Sequence, residues 1–192
     1  MSKREIKKEA ILVAGMEVMK AQGYNGCSVK DIVDAAKVPK GSFYNYFPSK
    51  EQFALDAIEF TASEARTHAQ ALLGDCSECA LDRLTRFFHA GIACAESSEF
   101  KVGCFLGNMC QEMADSSDSI RQRLDPILNG KTRLIADVIK EGQEGGSVNA
   151  AIDAAVAAEF LFNAWEGALM RAKAAKSRKA LDAFVAMLKH VL

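Results

Sequence analysis

Apolar residues recur every three or four positions along most of the chain, which is the repeat of one face of an α-helix. The first such face predicts a helix over 4–22 and consists of five residues: Ile11, Ala14, Gly15, Val18 and Met19. Two short helices are predicted next, over 28–36 and 42–47. Six longer ones follow, over 49–73, 78–97, 103–115, 118–143, 149–174 and 177–191. The pattern therefore predicts an all-α fold of about nine helices.

Capping signals mark the ends of the short helices. Ser28 stands three residues before Asp31, an arrangement typical of a capping box at a helix start. Pro39 suits the first turn of the next helix, because a proline there loses no intrahelical hydrogen bond. Ser49 with Gln52 predicts the cap of the long fourth helix. A short helix, a tight turn and a second short helix form a helix-turn-helix, whose second helix enters the major groove of DNA.

The composition agrees with a helical globular chain. Apolar residues make up 49% of the 192 residues and charged residues 26%, which excludes a disordered chain. Only 3 prolines and 13 glycines interrupt it, which favours long helices. No low-complexity linker is present, so we expect a head of residues 1–48 to continue directly into a body of residues 49–192.

The N-terminal residues are charged and no apolar run follows them, which argues against a signal peptide. Charges interrupt every apolar stretch well before the ~18 residues that a membrane span needs. We therefore expect a cytoplasmic protein with no membrane association. In that compartment its six cysteines are expected to be reduced thiols.

The net charge of −1 hides an asymmetry between the two ends of the chain. Residues 1–50 hold nine Lys and Arg against five Asp and Glu, a balance of +4. Residues 51–192 hold fifteen against twenty, a balance of −5. A basic head on an acidic body indicates a polyanionic partner for the head, although a solvated helical face can carry the same charge.

The predicted head carries a distinctive sequence that begins at Gly23-Tyr24 and includes one long run: Lys40-Gly41-Ser42-Phe43-Tyr44-Asn45-Tyr46-Phe47-Pro48-Ser49-Lys50-Glu51. Over about 40 residues this sequence resembles the DNA-binding signature of TetR-family transcriptional repressors. The resemblance implies a three-helix helix-turn-helix head on a helical body that binds an effector and dimerises. One departure is Cys27, where the family usually has a small hydroxyl residue such as threonine.

Residues around the predicted recognition helix are the candidates for contact with double-stranded DNA. Polar and aromatic side chains at the front of that helix can reach base edges, and basic ones can reach phosphates. Phe43 and Phe47 lie four residues apart on one helical face and are assigned to the core instead. The nine candidates are Ser28, Lys30, Lys40, Gly41, Ser42, Tyr44, Asn45, Tyr46 and Lys50.

One head of this size buries too little DNA for physiological affinity, so the resemblance implies a symmetric dimer on a near-palindromic operator. The last two helices are the candidate interface. The final one carries an apolar stripe of Leu181, Phe184, Val185, Leu188 and Leu192. The helix before it is rich in Ala and Gly, which permits close helix approach. Ordinary packing within one chain is the alternative for the same residues.

The body resembles one TetR subgroup, similar to the repressor that controls N-ethylmaleimide reductase. Two stretches carry this likeness, Gly103-Cys104-Phe105-Leu106-Gly107-Asn108 and Trp165-Glu166-Gly167-Ala168-Leu169. The resemblance implies a small-molecule effector pocket among the fifth to eighth helices, although most of its candidate residues could equally be core. The candidates are Phe88, His89, Cys104, Phe105, Asn108, Met109, Glu112, Phe162 and Trp165.

Cys104 is the candidate for sensing electrophiles or oxidants. It follows Gly103 at a predicted helix start, where backbone amides stabilise a thiolate. The matching residue in electrophile-responsive members of the subgroup is the sensing cysteine, with Lys173 as a possible cationic neighbour here. A packing role is the alternative.

The remaining cysteines point to no metal site or cofactor. Cys76 and Cys79 form a Cys-x-x-Cys pair, but no second pair completes a zinc site and no βα context suits thioredoxin chemistry. Cys110 is poorly spaced to pair with Cys104. Cys27 and Cys94 are interpreted as small buried residues.

The leading interpretation is a dimeric repressor, released from its operator by a small molecule or by modification of Cys104. A thiol-dependent enzyme is one alternative, but the three histidines (68, 89 and 190) are scattered and no Cys-His-Asn framework exists. We therefore expect no catalytic residues. A helical protein-interaction scaffold is another alternative, and it leaves the basic head unexplained.

Overall fold

The computed structural model describes residues 2–192 and, over that range, contains nine α-helices and no strand. The predicted all-α class is therefore confirmed. The helices are α1 (Lys3–Gly26), α2 (Val29–Ala35), α3 (Lys40–Tyr44), α4 (Lys50–Leu73), α5 (Ala80–Ser97), α6 (Phe105–Met113), α7 (Asp118–Glu144), α8 (Ala154–Ala175) and α9 (Lys179–Val191).

The chain forms two compact units. The first unit comprises Met1–Ser63 and Phe105–Asp125, and the second comprises Glu64–Cys104 and Pro126–Leu192. α6 and the start of α7 thus pack into the same unit as the helix-turn-helix.

An aromatic cluster forms the core of the first unit. The rings of Phe43, Phe47 and Phe53 are fully buried, with centroids 5.0–5.8 Å apart. The predicted core roles of Phe43 and Phe47 are confirmed. Aromatic pairs at this separation add about 0.5–1.5 kcal/mol beyond the burial of their surface. This cluster holds α3 and the first turns of α4 in a fixed arrangement.

The buried face of α1 is rotated relative to its prediction. Ile11, Gly15 and Met19 are buried as expected, but Leu12 and Met16 join them while Ala14 and Val18 are only partly buried. Both possible stripes have helical spacing, so periodicity alone could not choose between them. The helices that pack against α1 determine which of the two stripes is buried.

The predicted capping signals are present. Ser28 and Asp31 form a reciprocal capping box at α2, and the Gln52 amide donates to the Ser49 hydroxyl at 3.0 Å. Pro39 is the N-cap residue of α3, so this helix runs over Lys40–Tyr44 and not over the predicted 42–47.

The start of α8 was placed too early. It begins at Ala154 and not near residue 149, because the Asp153 carboxylate accepts hydrogen bonds from two backbone amides of the first turn. The Asn149 side chain instead accepts from the Ala151 amide in the preceding turn. An aspartate N-cap is a stronger helix start than the alanine-rich pattern before it.

The second unit is built on α5, the later part of α7, α8 and α9. Phe88, Trp165 and Phe184 pack at its centre in tilted and edge-to-face arrangements, with ring centroids 4.7–5.2 Å apart. Gly91 lets α5 approach the indole, since a Cβ there would lie 2.6 Å from Trp165 Cζ2. Across residues 2–192, no helix combines the length and the apolar character needed to cross a membrane.

Candidate nucleic-acid interface and effector region

α3 presents one side to solvent and the other to the aromatic core. The Tyr44 side chain is 56% exposed, whereas its neighbour Phe43 is completely buried. Lys40, Gly41 and Asn45 are exposed too, and Ser42 is partly so. The short helix therefore has a polar and aromatic outer surface on a rigid base.

Gly41 leaves the backbone of α3 accessible from solvent. A Cβ built there would meet no heavy atom within 4 Å, so packing within the protein does not require a glycine. The missing side chain leaves room for a ligand to approach the helix backbone closely.

Two of the α2 candidates already have local partners. The Ser28 hydroxyl and the Ser28 backbone amide both donate to the Asp31 carboxylate, and these bonds hold the pKa of Asp31 below its ordinary value. Lys30 forms an exposed ion pair with Asp34, with Nζ 2.5 Å from Oδ2. Exposed ion pairs of this kind contribute little to stability, so Lys30 can exchange Asp34 for another anion.

Lys50 lies over the ring of Tyr24, with its Nζ 4.2 Å from the ring centroid. Partial burial, with a smaller contribution from Glu51, raises the pKa of Tyr24 above its ordinary value. Glu51 in turn accepts a hydrogen bond from the buried Ser117 hydroxyl. The ammonium at the start of α4 therefore lies against the C-terminal end of α1.

Arg4 is a basic residue beside α3 that the motif did not identify. Its guanidinium donates to the Asn45 carbonyl oxygen at 3.1 Å, and the side chains of Lys3 and Lys7 nearby in sequence are exposed. Arg4 contributes to the positive charge of residues 1–50, but charge balance alone does not show which basic residue lies beside α3.

Cys27 is buried, as predicted, and burial raises the pKa of its thiol. The buried Cys27 side chain therefore has a packing role, and the N-cap of α2 is the neighbouring Ser28.

Glu112, predicted as an effector residue, lies against the kinked C-terminal end of α1. Its carboxylate accepts from the Asn25 amide at 3.0 Å and occupies the space that a Cβ of Gly23 would need. Gly23 has φ +79° and ψ 171°, a conformation that strongly favours glycine. Phe105 and Met109 on the same helix are buried, and Asn108 is partly buried.

The other effector candidates lie in the second unit. Phe88 and Trp165 pack ring against ring, Phe162 is buried beside them in the same core cluster, and His89 is exposed. An effector-binding role for these residues remains a prediction.

Cys104 directly precedes α6, and Glu166 of α8 is its hydrogen-bond partner. Burial raises the pKa of the Glu166 carboxyl, and the hydrogen bond from Cys104 and the positive charge of Lys131 oppose that shift. Sequence reasoning proposed Lys173 as the neighbour and missed Glu166 and Lys131. The available signal was the acidic residue that directly follows Trp165 in the mostly apolar sequence of α8.

The prediction that Cys94 is buried is wrong, because its side chain is exposed. The buried face of α5 runs through Leu84, Phe88 and Ile92, and a residue two positions after Ile92 falls outside that face.

The apolar stripe of α9 packs within its own chain. Leu181, Phe184, Leu188 and Leu192 are buried and Val185 is partly buried. A second apolar surface remains outside: an open groove between α8 and α9 that includes Phe160, Ala164, Ala183 and Met187. Phe160 and Met187 are 57% and 55% exposed, and neither belongs to the predicted stripe.

Two family models match the chain. The model described as bacterial regulatory proteins of the tetR family matches residues 11–57, which include the helix-turn-helix. The model described as a tetracyclin repressor-like C-terminal domain matches residues 80–188.

Similar proteins are transcriptional regulators. The chain is 34% identical over 178 residues to the HTH-type transcriptional repressor DhaR of Mycobacterium sp. (strain GP1), covering 93% of this chain and 88% of that protein. It is 38% identical over 169 residues to the transcriptional regulator AcuR of Cereibacter sphaeroides, covering 86% and 75%. The crystal structure of the reduced form of Escherichia coli NemR has a TM-score of 0.86 at 25% identity, covering 96% and 95%.

Proposed function

Because the chain belongs to the TetR family of bacterial transcriptional regulators, we propose that it is a dimeric repressor released from a near-palindromic operator by a small molecule or an electrophile. Residues 1–48 carry DNA binding in this proposal, and residues 49–192 carry effector binding and dimerisation. Membership of this family argues against the two alternative functions, a thiol-dependent enzyme and a helical interaction scaffold, because the members are transcriptional regulators.

The outer surface of α3 is the observation that supports DNA recognition. Tyr44 and Lys40 stand on a helix whose opposite side is anchored by fully buried Phe43. Such a helix can enter the major groove, with Tyr44 reaching a sugar or thymine methyl and Lys40 a phosphate or guanine. Arg4 and Lys50 flank it and suit phosphate contacts that position the head.

Tyr44→Ala is expected to weaken operator binding by about 30-fold or more. A good base contact contributes about 1–3 kcal/mol, and a symmetric dimer makes each contact twice. The measurement is fluorescence anisotropy with the protein's own upstream intergenic DNA against a scrambled duplex, across a salt series. Lys179→Ala, which removes an exposed charge on α9, is the control and should bind normally. Equal affinity of wild type for both duplexes would contradict the proposal.

Cys104 is the proposed electrophile sensor. Its sulfur adds to the double bond of an activated alkene, forming a C–S bond, and the thiol proton ends on the neighbouring carbon. The Glu166 carboxylate, as hydrogen-bond acceptor, is placed to take that proton first. Modification then favours a spacing of the two heads that no longer matches two major grooves. Coupling of ~1–3 kcal/mol changes operator affinity about 5- to 150-fold.

Cys104→Ser is expected to abolish release by N-ethylmaleimide while retaining operator affinity, because serine keeps the size but removes the nucleophile. Anisotropy of a preformed operator complex during treatment provides the measurement. Cys94→Ser is the matched control, since it removes an exposed thiol and should leave release intact. If the Cys104→Ser complex still dissociates on treatment, Cys104 is not the sensor.

A further inference from the structure

Cys76 and Cys79 are two thiols that the proposed repressor mechanism does not use. Both side chains are exposed and lie between α4 and α5 with only two residues separating them. Cys79 is the N-cap residue of α5, an 18-residue helix. Closely spaced exposed thiols are candidates for reversible oxidation to a disulfide.

The backbone between α4 and α5 is folded into a turn. The Glu78 amide donates to the Asp75 carbonyl oxygen at 3.3 Å. The Ser77 amide and hydroxyl both donate to the Asp75 carboxylate, at 3.1 and 2.6 Å. This turn contains Cys76 and is followed directly by Cys79. A folded backbone brings residues three apart closer than an extended one, as closure of a small disulfide ring requires.

The two sulfur atoms have different neighbours. Cys76 Sγ is 3.9 Å from a guanidinium nitrogen of Arg83, which places a positive charge beside this sulfur. Arg83 is 2% exposed and is anchored by the Leu73 carbonyl oxygen at 2.7 Å and by Glu141 at 2.6 Å. Its charge is therefore fixed in place.

Cys79 has an acidic neighbour instead. Its thiol donates to the Asp82 carboxylate at 3.1 Å. A carboxylate in this position can accept the thiol proton when the sulfur attacks. The arrangement separates the roles: the cation favours Cys76 as the first sulfur to attack, and Asp82 favours Cys79 as the sulfur that completes the bond.

We propose that Cys76 and Cys79 form a reversible disulfide by exchange with a small-molecule disulfide of the glutathione type. The Cys76 thiolate attacks one sulfur of oxidised glutathione, its S–S bond breaks, and one glutathione thiolate leaves. Cys79 then passes its proton to Asp82 and attacks the Cys76 sulfur, which releases the second glutathione. The protein loses two electrons, oxidised glutathione is reduced to two thiols, and both protons end on the released glutathione.

The test is to incubate the full chain with oxidised glutathione and map its thiols by alkylation and peptide mass. The expected product is a peptide lighter by two hydrogen atoms that contains both cysteines, restored by dithiothreitol. Cys79→Ser should stop at a glutathione adduct on Cys76, since the second sulfur is missing. Cys94→Ser, lacking another exposed thiol, should form the disulfide normally.

Asp82→Asn tests the assigned proton acceptor separately. Asp82 is exposed on the first turn of α5, so the variant is expected to fold. It should form the adduct on Cys76 at the wild-type rate and close the disulfide at least about tenfold more slowly. Stable adducts on both cysteines of the wild type, or two thiols that stay free while Cys94 reacts, would overturn the proposal.

Discussion

Replacing Gly15 with alanine should destabilise the first unit by about 1–3 kcal/mol, although alanine is the better helix former. A Cβ on Gly15 would lie 2.5 Å from Ile32 Cγ2 and 2.7 Å from Phe53 Cζ. Both partner side chains are fully buried in a packed core, so neither can move aside without displacing others. The added methyl group would push α1 away from α2 and α4.

Gly130→Ala is the matched control for this prediction. Gly130 lies in the interior of α7, and a Cβ there would meet no heavy atom within 4 Å. The same substitution should therefore stabilise the protein by up to about 1 kcal/mol through helix propensity. Urea unfolding followed by circular dichroism measures both variants. Stabilisation by Gly15→Ala would mean that α1 does not pack as closely as the structure indicates.

Local chemistry explains which parts of the fold could be predicted. The capping box at Ser28 and the cap at Ser49 each depend on residues three apart, so the sequence contains all the information they need. The long helices follow from apolar periodicity for the same reason. The choice between Leu12 and Val18 on α1 depends on α2 and α4, which a local pattern cannot include.

Contacts between residues distant in the chain explain what the sequence analysis missed at the candidate sites. Glu166 lies 62 positions from Cys104, and Glu112 lies 87 positions from Asn25. Neither pair forms a motif, because its spacing is set by helix packing. Phe160 was missed for a different reason. The helix around it is rich in alanine, and the predicted dimer contact on this helix was therefore assigned to its small residues.

Replacing Phe160 with aspartate is expected to dissociate the proposed dimer. Val156 and Phe160 lie one turn apart on α8, both exposed, and Met187 of α9 lines the same groove as Phe160. Exposed apolar surface of this kind is typical of an interaction site. In a two-fold interface both protomers lose Phe160, and at about 2 kcal/mol for each side chain this raises the dimer dissociation constant about 1,000-fold.

Sedimentation equilibrium at micromolar concentration is the measurement for Phe160→Asp, with thermal unfolding as a check on the fold. The side chain is already mostly exposed within one chain, so the monomer should keep its helices. Gln122→Asp, on the exposed surface of α7, introduces the same charge elsewhere and should remain dimeric. Operator affinity should fall in parallel with dissociation, since a single head contacts only one half-site. A Phe160→Asp variant that stays dimeric would place the interface on another surface, and the groove between α8 and α9 would then need a different partner.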